Sequence, residues 1–198
     1  LKEIFPEAKF LHIIRDPRDC CLSANKAWGT NIYRTAELWR QRLEIGRSDG
    51  YQLGDDYMEV LYENLLDEPE KTMISVCTFL GCNFITVMTE LSKPADSLGD
   101  TKGQTRIVKQ NKNKYLFELS PYEIRRIEEI VYPIAKNIPY NFEYDVESKP
   151  LGYLMFKILT FYDGVAWLRF YIHKKDFSGI MHWYRTVMHI LAGRMSLV

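Results

Sequence analysis

The chain has 198 residues, 46% hydrophobic and 26% charged, with 26 Lys and Arg against 26 Asp and Glu. That balance fits a globular protein with a core, and zero net charge excludes a chain-wide basic nucleic-acid binder. The neutrality is uneven: residues 148–198 carry seven Lys and Arg against two Asp, a net of +5, which leaves −5 on residues 1–147.

Residues 9–15, KFLHIIR, are short, Ile-rich and apolar, and predict a strand buried on both faces. DPRD then opens a helix, with Asp16 as N-cap, Pro17 at the first helical position and Asp19 in the first turn. Residues 34–47 are helical in period, with Leu38, Trp39 and Leu43 near one face, and SDGYQLGDD after them reads as a loop. YMEVLYENL, 57–65, predicts a second strand with Met58, Val60 and Tyr62 on one side. In DEPEKTMISVCTFLG, Pro69 starts a helix, Met73, Cys77 and Leu80 form its stripe, and Gly81 ends it.

Residues 92–115 are polar and predict a long loop, a kind of segment that is often functional. A helix follows with a capping box, Ser120 as N-cap, Pro121 behind it and Glu123 at the third position. Ile124, Ile127, Val131 and Ile134 make its apolar stripe, and Pro133 bends or ends it. Residues 151–172 are apolar and aromatic, but Lys157, Asp163 and Arg169 interrupt them too often for a transmembrane span. Strands alternating with helices predict an α/β fold with a parallel sheet. We divide the chain at 1–147 and 148–198, a body and a basic aromatic helical extension.

The four cysteines, Cys20, Cys21, Cys77 and Cys82, fit no zinc spacing and read as reduced thiols, so a cytoplasmic setting is expected, with a lumenal or membrane-associated one as the alternative. His173, His182 and His189 have no metal-ligand spacing, and no metal is expected. His12 reads as a packed strand histidine. Glu59 and Glu63 are given no role in proton transfer.

The stretch FLHIIRDPRDCCLS carries the chemistry. Ligands in parallel α/β sheets sit at the carboxyl ends of strands, which is where Arg15 falls. The helix after it offers unpaired backbone N–H groups and a positive dipole end, and a guanidinium fork suits phosphate. Ser23 adds a hydroxyl two turns into that helix. On spacing alone the plainer reading is that Arg15 pairs with Asp16 or Asp19 at the surface and Ser23 is simply helical.

The stretch FPEAKFLHIIRDPRDCCLS also resembles the 3′-phosphate-binding element of the sulfotransferases that use 3′-phosphoadenosine 5′-phosphosulfate (PAPS). The resemblance implies that Arg15 and Ser23, eight residues apart, hold that phosphate together. YMEVLYENLLDEPEKTMISVCTFLGCNF is similar to the family's next segment, whose tyrosine lies near the adenine, which points to Tyr62. VKQNKNKYLFEL stands where the family has a basic loop that closes over the nucleotide. Lys109 matches that loop's lysine, whereas Val108, Gln110, Asn113 and Tyr115 stand where Arg, Gly, Gly and Trp are expected.

The resemblance spans roughly residues 3–142. It implies a P-loop-like sulfotransferase fold, incomplete at the N-terminus, with a helical C-terminal extension. The implied reaction moves a sulfuryl group from PAPS to a hydroxyl or amine acceptor and leaves 3′,5′-ADP. The phosphosulfate loop and the catalytic base are expected upstream of Leu1, so this chain is expected to bind but not to turn over alone. Two alternatives stay open: a non-catalytic nucleotide-binding or interaction module on the same fold, and a P-loop kinase-like phosphotransferase. Tyr153, Phe156, Phe161, Trp167 and Phe170 in the extension read as core aromatics, or else as an acceptor lid, a dimer surface or a membrane-surface contact.

Overall fold

The computed structural model describes residues 2–90 and 101–173, together with 177–179, 181, 184 and 185. Strands β1 (Phe10–Ile14) and β2 (Tyr57–Leu61) pair in parallel, with Phe10 opposite Tyr57 and Ile14 opposite Leu61. Parallel strands need a long crossover, and two helices supply it: α1 (Pro17–Trp28) and α2 (Ile32–Tyr51). After β2 come α3 (Tyr62–Asp67), α4 (Pro69–Leu80), the short α5 (Tyr115–Glu118), α6 (Pro121–Ala135) and α7 (Tyr153–His173). The described part is thus α/β, with helices packed about a two-stranded parallel sheet.

Local chemistry sets most helix ends as expected. The Asp16 side chain accepts the Arg18 N–H at α1, and Gly29, left-handed at φ 69°, closes that helix. Ser120 and Glu123 form the full reciprocal capping box of α6. Gly81, at φ 74°, ends α4 with its N–H on the carbonyls of Cys77 and Thr78. Pro133 does not stop α6, which runs two residues past it to Ala135.

Three expectations need correction. The loop at 48–56 is shorter than its composition suggests, because α2 continues to Tyr51 and a 3-10 turn fills Gly54–Asp56. Gly50 is buried there because the Tyr57 ring lies directly against it, where a side chain would not fit. The second strand ends at Leu61, and Tyr62 is the first residue of α3. Finally, β1 is not buried on both faces. Ile14 is packed, but Leu11 and Ile13 on the other face are exposed, Ile13 by 60%. The face carrying Ile14 is covered by Leu43 and Trp39 of α2 and by Ile134, Ile138 and Tyr140, and no described element lies over Ile13.

The main core lies between α1, α2 and α6. Cys21, Ala36, Ile127, Ile130, Val131 and Ala135 are fully buried there, with Ile32 beside them. The amphipathic stripe of α6 is the cause: each buried Ile contributes about 1.5–3 kcal/mol by leaving water. The described cysteines are all free thiols. Helix α7 packs on this body through Phe156, through Trp167 stacked on Trp28, and through Asp163. The side chains of Phe170 and His173, and His182 and His189 entirely, lie outside the described residues.

Candidate functional site

Strand register brings two of the expected residues together. Ile14 and Leu61 are the last paired residues of β1 and β2, and Arg15 and Tyr62 follow them directly. The Arg15 guanidinium therefore lies over the Tyr62 ring, 4.7 Å from its centre. A guanidinium on an aromatic face is held by the ring quadrupole while its edges stay available. One edge is used: Nη2 donates to the Asn111 carbonyl at 3.1 Å. The Nε is buried and has no partner. A buried charged donor without an acceptor costs about 1–3 kcal/mol or more, which an anion at that edge would recover.

The surrounding RDPRD residues do different work. Arg18, not Arg15, takes the aspartate: it is 2% exposed and donates through Nη2 to Asp16 at 2.7 Å. Its Nη1 donates to the fully buried Glu128 of α6, also at 2.7 Å, and its guanidinium stacks on Tyr115. Burial disfavours the charge of Arg18, but Asp16 first, then Tyr115 and Glu128, outweigh it and raise its pKa. The other Glu128 bonds go to the backbone N–H groups of Glu143 and Tyr144, which closes the network. The surface pairing of Arg15 with Asp16 or Asp19 that spacing alone favours is therefore absent among the described residues.

Asp19 is fully buried and accepts the backbone N–H groups of Asn113 at 2.5 Å and Tyr115 at 3.0 Å. Burial raises its pKa, and those two bonds hold it down only in part. Asp19 thus pins the strap of residues 108–115 onto α1. Asn113 sits in the left-handed region at φ 56°, which Asn tolerates better than most side chains. Lys112 adds an ion pair to Asp67.

Pinned this way, the strap lays Asn111 across the strand ends. Its carbonyl takes Arg15, and its side-chain Nδ2 donates to the Tyr62 hydroxyl at 2.8 Å. Asn111 is 9% exposed and touches both residues, yet nothing in its local sequence marks it. Its only sequence signal is its place inside the loop aligned with the family's basic loop.

Ser23 lies on α1 one turn after Asp19, on the same helix face, and is half-buried. Asp19, one turn before it, is the residue bonded to the strap. Lys109 is exposed and lines a shallow recess of about 390 Å³ with Asp67, Lys112, Asn113 and Phe117. The structure gathers Arg15, Tyr62 and Asn111 in direct contact; among the described residues Ser23, half-buried on α1, and Lys109, exposed on the strap, form no hydrogen bond with them.

The remaining titratable groups near the strands are held by partners. Glu63 accepts the Asp16 N–H and the Tyr140 hydroxyl. Glu59 takes both Arg47 donors and the Tyr57 hydroxyl; burial works to raise its pKa, but those bonds lower it overall. His12 Nδ1 lies 2.6 Å from the same Tyr57 hydroxyl, and burial lowers its pKa. This histidine is a packed one. Burial lifts the Cys20 thiol above its ordinary value although Arg15 pulls it down. Among the described residues no cluster of His, Cys, Asp and Glu is arranged to hold a metal, and no helix is long and apolar enough to cross a membrane.

The strand ends thus hold an arginine with one buried, unpartnered donor, stacked on an aromatic ring and bonded to a pinned strap. Residues 1–86 match the model of the sulfotransferase family. The matched stretch contains Arg15, Ser23 and Tyr62 and stops short of the strap. The chain is also similar to the sulfotransferase domain of the olefin synthase of Synechococcus PCC 7002, at 25% identity and a TM-score of 0.49 over 61% of this chain. It spans 48% of that domain's chain. No curated protein matches significantly.

Proposed function

We propose that the strand-end site binds the adenosine 3′,5′-bisphosphate part of PAPS, and that the protein is a sulfotransferase acting on a hydroxyl or amine acceptor. The observation that carries this is the Arg15 side chain, stacked on Tyr62 with its Nε buried and without a partner. In this reading Arg15 and Ser23 hold the 3′-phosphate. Tyr62 flanks the adenine, offering a ring face and a hydroxyl already oriented by Asn111. Lys109 would reach over from the strap to the phosphate.

Sulfuryl transfer, like phosphoryl transfer, relies on positioning and charge stabilisation. The role assigned to these residues is positional. They fix the nucleotide end so that the phosphosulfate end points at its acceptor, and no proton moves through them. Their proton-bearing neighbours Glu59, Glu63 and His12 are tied to other groups.

A non-catalytic nucleotide-binding module is the second reading. It is favoured by the strap, where Val108, Gln110 and Tyr115 replace the family's Arg, Gly and Trp and where Lys109 is exposed. Two measurements separate the readings. Calorimetry with 3′,5′-ADP should give saturable one-to-one binding, and its absence would remove both. Mass spectrometry of a panel of hydroxyl and amine acceptors incubated with PAPS and the full-length protein should detect sulfation. Binding without sulfation leaves the module.

A further inference from the structure

Helix α7 has two unlike sides. One is docked. Asp163 is buried, accepts the Asn31 N–H at 2.7 Å and pairs with Arg34 at 2.9 Å. Phe156 is buried beneath the Arg34 guanidinium, Thr160 accepts from the Arg34 Nε, and Trp167 stacks on Trp28. At 100° per residue, Phe156, Thr160, Asp163 and Trp167 share one narrow face.

The opposite face is apolar and open. Leu154 is 73% exposed, Phe161 71%, Tyr162 64% and Ile172 57%, with Met155 and Ile158 between them. A surface helix ordinarily turns a polar face outward, and a helix apolar all round is ordinarily buried. Here only two charged residues, Lys157 and Arg169, stand exposed on α7, and both are cationic. The helix's single acid faces inward and is neutralised by Arg34. The outward side therefore shows apolar bulk, aromatic rings and positive charge. It belongs to the segment of residues 148–198, whose net charge is +5.

We propose that α7 is an interfacial membrane helix whose outward face, led by Leu154, Phe161 and Tyr162, lies in the surface of an anionic bilayer, flanked by Lys157 and Arg169. The chemistry of the face selects this occupant. Apolar side chains enter the acyl boundary, tyrosine suits the headgroup level, and lysine and arginine pair with anionic lipid. A helix of 21 residues is about 32 Å long. Its three charged positions keep it from crossing. It lies on the membrane rather than in it. Because Asp163, Phe156 and Trp167 clamp α7 to α1 and α2, a docked helix carries the α/β body with it.

The test is co-sedimentation of the intact protein with vesicles of phosphatidylcholine alone and with 30 mol % phosphatidylserine. The expected result is at least tenfold stronger partitioning onto the anionic vesicles, weakened at least fivefold by 0.5 M salt. Leu154→Ser/Phe161→Ser should lower binding tenfold or more. Should that pair lose the fold by circular dichroism, Lys157→Glu/Arg169→Glu leaves the apolar face intact and should abolish the anionic preference. No partitioning overturns the proposal, as does equal partitioning onto both vesicles. A concentration-dependent dimer in light scattering that Lys157→Glu/Arg169→Glu keeps and Leu154→Ser/Phe161→Ser dissolves also overturns it, since the face would then be covered by a second copy.

Discussion

Arg15 and Arg18 stand three residues apart in one motif and are spent in opposite ways. Arg18 is 2% exposed and ion-paired to Asp16 and Glu128, inside a network that ties α1 to α6 and the segment after it. Arg15 stacks on a single ring, makes one hydrogen bond and keeps a buried donor without an acceptor. A folded protein satisfies its buried charges unless something else is to do so. The difference teaches that charge density in a motif does not locate a site. Among the described residues the buried side-chain donor left without a partner is the Arg15 Nε, and it is this that sets Arg15 apart from Arg18.

The largest expected effect breaks the structural arm. Arg18→Met leaves the Asp16 and Glu128 carboxylates buried without their cation, at a cost of about 3–5 kcal/mol. A urea melt should show the midpoint collapsing. An unchanged midpoint would deny the network its role. Asp19→Ala comes next. It removes two charge-assisted bonds from the strap, but it also removes a carboxylate that burial disfavours, so the net loss is about 1.5–3 kcal/mol. Trypsin should then cut faster at Lys109 and Lys112, and the Asn111 contact to Arg15 should loosen with the strap.

Asn111→Ala is smaller, about 0.5–1.5 kcal/mol for the bond to Tyr62. The backbone carbonyl that holds Arg15 survives this change, so nucleotide affinity should drop only a few-fold while any preference for the 3′-phosphate persists. Loss of that preference would move the phosphate role from Arg15 to Asn111.

The smallest effect is a pH term. Burial keeps His12 below the ordinary histidine range, with Arg47 adding to this and Glu59 opposing it. The unfolded chain therefore takes up a proton first as pH falls. This contribution is complete above the ordinary histidine pKa and is lost as pH drops through the lower folded value. His12→Asn, which keeps a polar group near Tyr57, should flatten the fall in urea midpoint between pH 7.5 and pH 5. An equally steep fall in the variant would assign that pH term to the carboxylates.

Helix ends and the parallel order were legible in the sequence because they rest on local chemistry: Asp16, Gly81, Ser120 with Glu123, and a strand–helix–helix–strand order. Arg15 and Tyr62 were legible as a pair through the family resemblance. The reason they meet was not, since the register that places them one step past Ile14 and Leu61 is a property of two strands 47 residues apart. Tyr62 read as a strand residue because its side-chain alternation continued, yet the chain turns into α3 at that point. Arg18 was missed because its partners Glu128 and Tyr115 lie about 100 residues on. Asn111 was missed because its place depends on Asp19 pinning the strap.

The contrast between the two arginines rests on what Arg15 is left open to hold. The most direct measurement is the calorimetric affinity for 3′,5′-ADP relative to 5′-AMP, taken on the wild type and on Arg15→Ala. A charge-assisted contact of about 1.5–3 kcal/mol predicts that the wild type prefers the bisphosphate by about tenfold to a hundredfold and that the variant, folded as before, does not. Equal affinity of the wild type for both nucleotides would contradict the assignment of Arg15.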